Sequence, residues 1–169
     1  STNHVVGMYE IEHAPEIYNP KFGLVIDHHS PIRPDSLYGA SKAFNEAIGR
    51  YFVENFQQPS QFYALRLGSV RHDEYDHPYS DAEKGVAEGK WVRGSDEYRE
   101  TVARMKATWQ SRRDLAQQVE CCLQDESVKF DVFYGVRNND ARWFDLEHGR
   151  TIIGYRPRDN GADYDKPPT

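Results

Sequence analysis

Two runs of the 169-residue chain read as strands, QFYALRL at 61–67, which alternates and then turns at a glycine, and VKFDVFYGV at 128–136, and each follows a stretch with helical periodicity. Strands that alternate with helices lie parallel, because each helix carries the chain back across a face of the sheet. The opening residues, STNHVVG, read as the end of a further buried strand. The resulting order of loop, helix, strand, insertion, helix, strand and short helix is that of the second half of an α/β domain. It supplies too few strands for a complete doubly wound sheet. We therefore expect a single partial domain over 1–169, as though a longer polypeptide had been entered part-way.

Composition narrows the setting. With 38% hydrophobic and 13% aromatic residues the chain has the material for a core. A net charge of −6 disfavours a nucleic-acid partner, since phosphate binding needs a basic stripe and the Lys and Arg are scattered. No run of 18 uncharged apolar residues exists to span a membrane, and the first residues lack the basic and apolar regions of a signal peptide. The two cysteines, Cys121 and Cys122, are neighbours pointing apart on a helix, so they form a poor disulfide and suit a reducing cytoplasm.

Local signals place the elements. Residues 8–34, with Pro15, Pro20, Pro31 and Pro34, read as a long connection. A helix capped by Asp35 or Ser36 runs to about residue 57, with Leu37, Ala40, Phe44, Ala47, Ile48, Tyr51 and Phe52 at helical spacing. Residues 72–103 form an acidic insertion broken by Gly85, Gly89 and Gly94, in which only SDEYRETVARM has a capped helical pattern. Ser111 and Asp114 read as a capping box opening a helix, Asp145 as the cap of a short helix ending at Ile153, and 156–169 as a frayed tail.

The chemistry centres on DSLYGASKAF, residues 35–44. Residues four apart share a helix face, so the Lys42 ammonium lies near the Tyr38 phenol and favours its phenolate over a starting pKa of about 10. A phenolate near neutral pH takes the proton from a sugar hydroxyl while a hydride leaves the same carbon. A fixed hydroxyl would hold the reacting oxygen, and Thr2, at a strand end beside Asn3 and His4, is the candidate. By itself the Tyr-to-Lys spacing is weak, with roughly half an occurrence by chance in this composition.

Six separated blocks give it context: STNHVVG, RPDSLYGASKAFNEAIGRYF, LRLGSV, TWQSRRDLAQ, VFYGV and GYRPRDN. In order and character they resemble the extended short-chain dehydrogenase/reductase family, also called the NAD-dependent epimerase/dehydratase family, and look closest to its uronate dehydrogenase and archaeal sugar dehydrogenase branch. The resemblance spares only 72–103 and the tail. It implies the C-terminal part of a Rossmann-like doubly wound sheet, lacking the N-terminal βαβ nucleotide-binding half. It implies NAD as cofactor, with Tyr38 as base, Lys42 lowering its pKa and bonding the nicotinamide ribose, Thr2 orienting substrate, and the backbone at Leu67 bordering the nicotinamide. Asn3, His4, Ser69 and Arg104 would contact a sugar or sugar acid, oxidised at C1 to a lactone. Threonine at position 2, where that branch usually has serine, keeps the hydroxyl. Family members commonly dimerise through the helix bearing the Tyr, here 36–57.

Competing readings and departures stand beside this. Arg104 also reads as a surface ion pair in an acidic segment, and His4 as a packed or turn histidine. His28 and His29 read as a loop feature, with no metal-site pattern around them. No GxxGxxG or GxGxxG turn exists to hold a pyrophosphate, so this chain alone would bind NAD poorly and would expose apolar surface. A nucleotide-sugar epimerase or dehydratase uses the same Tyr and Lys, and a non-catalytic fragment or interaction domain is the alternative of another class.

Overall fold

The computed structural model describes residues 1–71 and 76–167. Its centre is a parallel pair, β1 (Phe62–Leu67) and β2 (Phe130–Gly135), in register from Phe62 opposite Phe130 to Leu67 opposite Gly135. Thr2 forms an isolated parallel bridge with Leu67 on the other edge of β1, so the opening segment meets the sheet at one residue and forms no strand of its own among the described residues. The strand character stops at that residue, because Asn3–Val6 turn into a 3-10 helix whose cap is the Thr2 side chain.

The α2 helix (Leu37–Asn55) covers the sheet, with α1 (Met8–His13) before it. Ser36 caps α2 in extended conformation, its Oγ accepting from the Gly39 N–H at 3.1 Å. The apolar stripe that reveals α2 in the sequence is not its packed face. Gly39, Glu46, Gly49 and Val53 are buried, whereas Leu37, Phe44, Ile48 and Tyr51 are exposed. Close approach explains the inversion: a Cβ at Gly49 would lie 2.5 Å from the Phe62 ring, so only a small residue lets helix and strand meet. Below it the buried Arg66 is held by Glu46, with Nε and Nη2 at 3.0 and 2.9 Å from the two carboxylate oxygens, and by the Tyr134 hydroxyl at 2.9 Å.

The main core joins Val5, Val6, Ile17 and Ile26 to Phe133, Val136, Trp143 and Phe144. The segment read as a long connection thus contributes core residues, as well as α1 and a 3-10 turn at Glu16–Tyr18. The insertion is also more ordered than its composition suggests. Its residues 72–75 lie outside the described residues, but α3 (Ser80–Ala87) and α4 (Asp96–Thr108) pack around Tyr79, Ala82, Tyr98 and Val102. The α3 helix escapes a reading by apolar period because its packing depends on Gly85, where a Cβ would fall 2.0 Å from the Trp91 ring.

Beyond it come α5 (Arg112–Gln124) and α6 (Glu147–Ile152). Ser111 caps α5, but Asp114 does not complete a capping box; its carboxylate accepts from the N–H groups of Arg158 and Asp159. Asp145 caps α6 through the N–H groups of Glu147 and His148. The segment expected to fray is held by contacts as far as the Asp165 carbonyl, which accepts from the Tyr79 hydroxyl at 2.9 Å. Asp159 takes bonds from Ser111 Oγ at 2.8 Å and Arg137 Nη2 at 3.0 Å, and Tyr164 meets Trp109 edge-on at 5.2 Å. Residues 168–169 lie outside the described residues. No helix among the described residues is long and apolar enough to cross a membrane.

Candidate active site

A cleft of about 340 Å³ opens at the C-terminal end of the strands, where α/β sheets place their ligands. Thr2, Asn3, His4, Tyr38, Leu67, Ser69 and Arg104 all line it. Of the eight residues singled out in the sequence, only Lys42 lies off this wall. It sits one turn further along α2, its Nζ 5.4 Å from the centroid of the Tyr38 ring, and faces an adjoining apolar groove of about 560 Å³ beside Gly49, Phe52 and Phe62.

Tyr38 is presented by the N-terminal turn of α2, which docks onto the 3-10 turn through Gly39. A Cβ at Gly39 would stand 2.3 Å from the His4 carbonyl oxygen, so glycine permits the contact that sets Tyr38 beside His4. The two rings meet edge to face, centroids 5.8 Å apart. His4 is fixed from behind, its Nδ1 2.6 Å from Asp35 Oδ2. Burial works to raise the Asp35 pKa, but the bonds from Ser36 and His4 outweigh it and hold the carboxyl below its usual range. A side chain at Gly7 would collide with this same carboxylate. Tyr38 itself is half-exposed on the cleft side.

The hydroxyls of the wall have assignable directions. Thr108 Oγ1 donates to the Arg104 carbonyl at 3.0 Å, so in its 3.0 Å contact with Ser69 Oγ the serine is the donor. Ser69 is thereby left to accept a hydrogen bond from the cleft. Thr2 Oγ1 accepts from the His4 N–H and approaches Asn3 Oδ1, both at 3.3 Å, long bonds that an incoming oxygen can replace.

Arg104 does reach the cleft, but its guanidinium is already paired. Nε lies 2.5 Å from Glu10 Oε1 and Nη2 3.3 Å from Oε2, and the Tyr18 hydroxyl donates to Oε1 at 3.0 Å. Burial opposes the Arg104 charge, and Glu10 more than offsets it, holding the group above its usual pKa. Burial first, then the Glu10 carboxylate, push the Tyr18 phenol well above its ordinary value, so it remains a donor. Arg71, the other guanidinium on the wall, is paired with Asp81. Glu10 and Asp81 carry no signal in the sequence, and Asp35, read there as a possible helix cap, instead holds His4 while Ser36 is the cap; Glu10 lies in the stretch read as a connection, 94 positions from Arg104.

The His28 and His29 pair does sit in a loop, where His28 stacks on His148 with centroids 3.6 Å apart. Among the described residues no group of three or more His, Cys, Asp or Glu converges as a metal site.

No protein-family model matches the chain. It is similar to the NAD-dependent glucose-6-phosphate dehydrogenase of Haloferax volcanii, 29% identical over 97% of this chain and 53% of that protein. It is 33% identical to the L-arabinose 1-dehydrogenase (NAD(P)(+)) of the same organism, over 96% of this chain and 58% of that one. Among solved structures, glucuronic acid dehydrogenase from Chromohalobacter salexigens superposes with a TM-score of 0.63 at 26% identity, covering 95% of this chain and 46% of the other. The chain therefore spans about half the length of the relatives it matches. Its parallel strands and covering helices are those of part of a Rossmann-like sheet, and the chain is similar along nearly its whole length to sugar and uronate dehydrogenases.

Proposed function

We propose that this chain forms the proton-transfer and substrate half of an NAD-dependent dehydrogenase that oxidises an aldose or uronate at C1 to a lactone. The observation that carries this is the convergence of Thr2, Tyr38 and Ser69 on one cleft, with the Lys42 ammonium against the Tyr38 ring. Thr2 holds the C1 oxygen and Tyr38 takes its proton, the C–H bonding pair leaves C1 as hydride, and the C–O bond becomes the lactone carbonyl. NAD, when bound, accepts that hydride.

The residues present suit one end of that cofactor. Among the described residues Lys42 makes no ion pair with a carboxylate, so its N–H groups are available to ribose hydroxyls, and Leu67 borders the place where the nicotinamide would meet the substrate. A turn of the GxGxxG kind is absent from the sequence, so the pyrophosphate grip must come from residues outside it.

Homodimerisation through helix 36–57 belongs to the same reading. The exposed Leu37, Phe44, Ile48, Tyr51 and Phe52 of α2 support it, together with a cytoplasmic setting for the free thiols of Cys121 and Cys122. The test of function is NADH formation by the full-length polypeptide that contains these residues, supplied with free aldoses and uronates. Stoichiometric NADH and lactone support the dehydrogenase. A nucleotide-sugar isomerised with no net NADH would support the epimerase reading instead, and a stable fold that neither binds NAD nor turns over sugar would support a non-catalytic domain.

A further inference from the structure

We propose that Glu10 sets the substrate class of this cleft by neutralising Arg104, so that the site takes a neutral aldose and disfavours sugars bearing a carboxylate or phosphate. The inference rests on the dehydrogenase reading and narrows it.

A guanidinium recognises a carboxylate or phosphate by presenting two parallel N–H donors and a net positive charge. Both are already used. Glu10 spans Nε and Nη2 of Arg104 with its two oxygens, and the Tyr18 hydroxyl adds a third donor to the same carboxylate. The Glu10 side chain is only 13% exposed, so it cannot turn away into water when an anion approaches. An anionic sugar would have either to lie against this carboxylate or to displace it, stripping a buried charge of two of its donors. The second guanidinium of the wall does not compensate, because Arg71 is spanned by Asp81 in the same way.

The remaining groups are suited to hydroxyls. Ser69 is left as an acceptor by its bond to Thr108, Asn3 brings an amide, and Thr2 brings a hydroxyl whose present bonds are long. Among the described residues the cleft wall thus offers paired charges and neutral donors and acceptors, a match for a polyhydroxyl without net charge.

The test uses matched pairs of sugars, D-glucose with D-glucuronate and D-galactose with D-galacturonate, on the full-length polypeptide containing these residues. We expect kcat/KM to favour the neutral member of each pair by at least about tenfold. In Glu10→Gln, Arg104 regains net charge, and the ratio should move toward the uronate by about 10- to 100-fold, mainly through KM. Preference of the parent protein for the uronate would overturn the inference while leaving the dehydrogenase reading intact; this comparison needs no variant and so survives a Glu10→Gln protein that fails to fold. An unchanged ratio in a Glu10→Gln protein that melts like its parent would overturn it as well. Absence of NADH with every sugar would remove the dehydrogenase reading and this inference with it.

Discussion

Replacing Gly39 by alanine sets two opposing effects against each other. Alanine is favoured over glycine within a helix by about 1 kcal/mol, so propensity alone predicts a more stable protein. The packing predicts the reverse. A Cβ at this position would stand 2.3 Å from the His4 carbonyl oxygen and 2.9 Å from its carbonyl carbon. No flexible side chain can step aside, because these are backbone atoms, and that oxygen accepts from the N–H groups of Gly7 and Asp35 at 3.3 Å each. Relief requires the N-terminal turn of α2 to slide off the 3-10 turn, an overpacking cost of about 1–3 kcal/mol. Weakening the two hydrogen bonds adds about 1 kcal/mol. After subtracting the propensity gain, the net loss is about 1–3 kcal/mol. Urea denaturation followed by circular dichroism measures it, with Ala40→Gly, on the exposed face of the same turn, as the control expected to lose about 1 kcal/mol. A Gly39→Ala protein stabilised by about 1 kcal/mol would refute the close approach, and with it the geometry that places Tyr38 beside His4.

Removing Glu46 by Glu46→Ala should cost about 3–5 kcal/mol in the same assay, since it strands the buried Arg66, whereas exchanging the pair together for Met at both positions should cost far less. Acidification should destabilise the protein in two stages. His28 has its pKa lowered by burial first and by His148 and His29 next, so the unfolded chain binds the extra proton; stability is complete above about pH 6.5 and falls as pH drops toward the folded value. His28→Phe should flatten that limb of a melting-temperature profile. Asp35 and Asp125 are held below the usual carboxylate range, so their contribution is present above about pH 4 and lost below it. Asp159→Asn should release the tail from Arg137 and Arg113, read as faster amide exchange at residues 158–164 with little change in β1.

The elements legible in the sequence are those whose signals are local. The cap at Ser36, the alternation in β1 and the cap at Ser111 each lie within a few residues of what they determine. The periodic stripe of α2 was legible as a helix but misleading as to its buried face, because contact with β1 selects Gly39 and Gly49 and leaves the large residues outside. What escaped depends on tertiary packing that no local pattern announces: α3 on the Trp91 ring just beyond its own end, and, further off in sequence, the tail on Arg137 and the Arg104 guanidinium on Glu10. The cleft itself was legible through the resemblance rather than the spacing alone, since nothing local shows that residues 2–4, 38, 67–69 and 104 meet.

The account turns on a phenol at position 38 drawing a proton from the sugar. Single-turnover NADH formation by Tyr38→Phe, in the full-length polypeptide and beside a parent of equal thermal stability, measures that directly. A rate reduced by about 10²–10⁴-fold with the fold unchanged is the predicted result. Turnover equal to the parent's would contradict it.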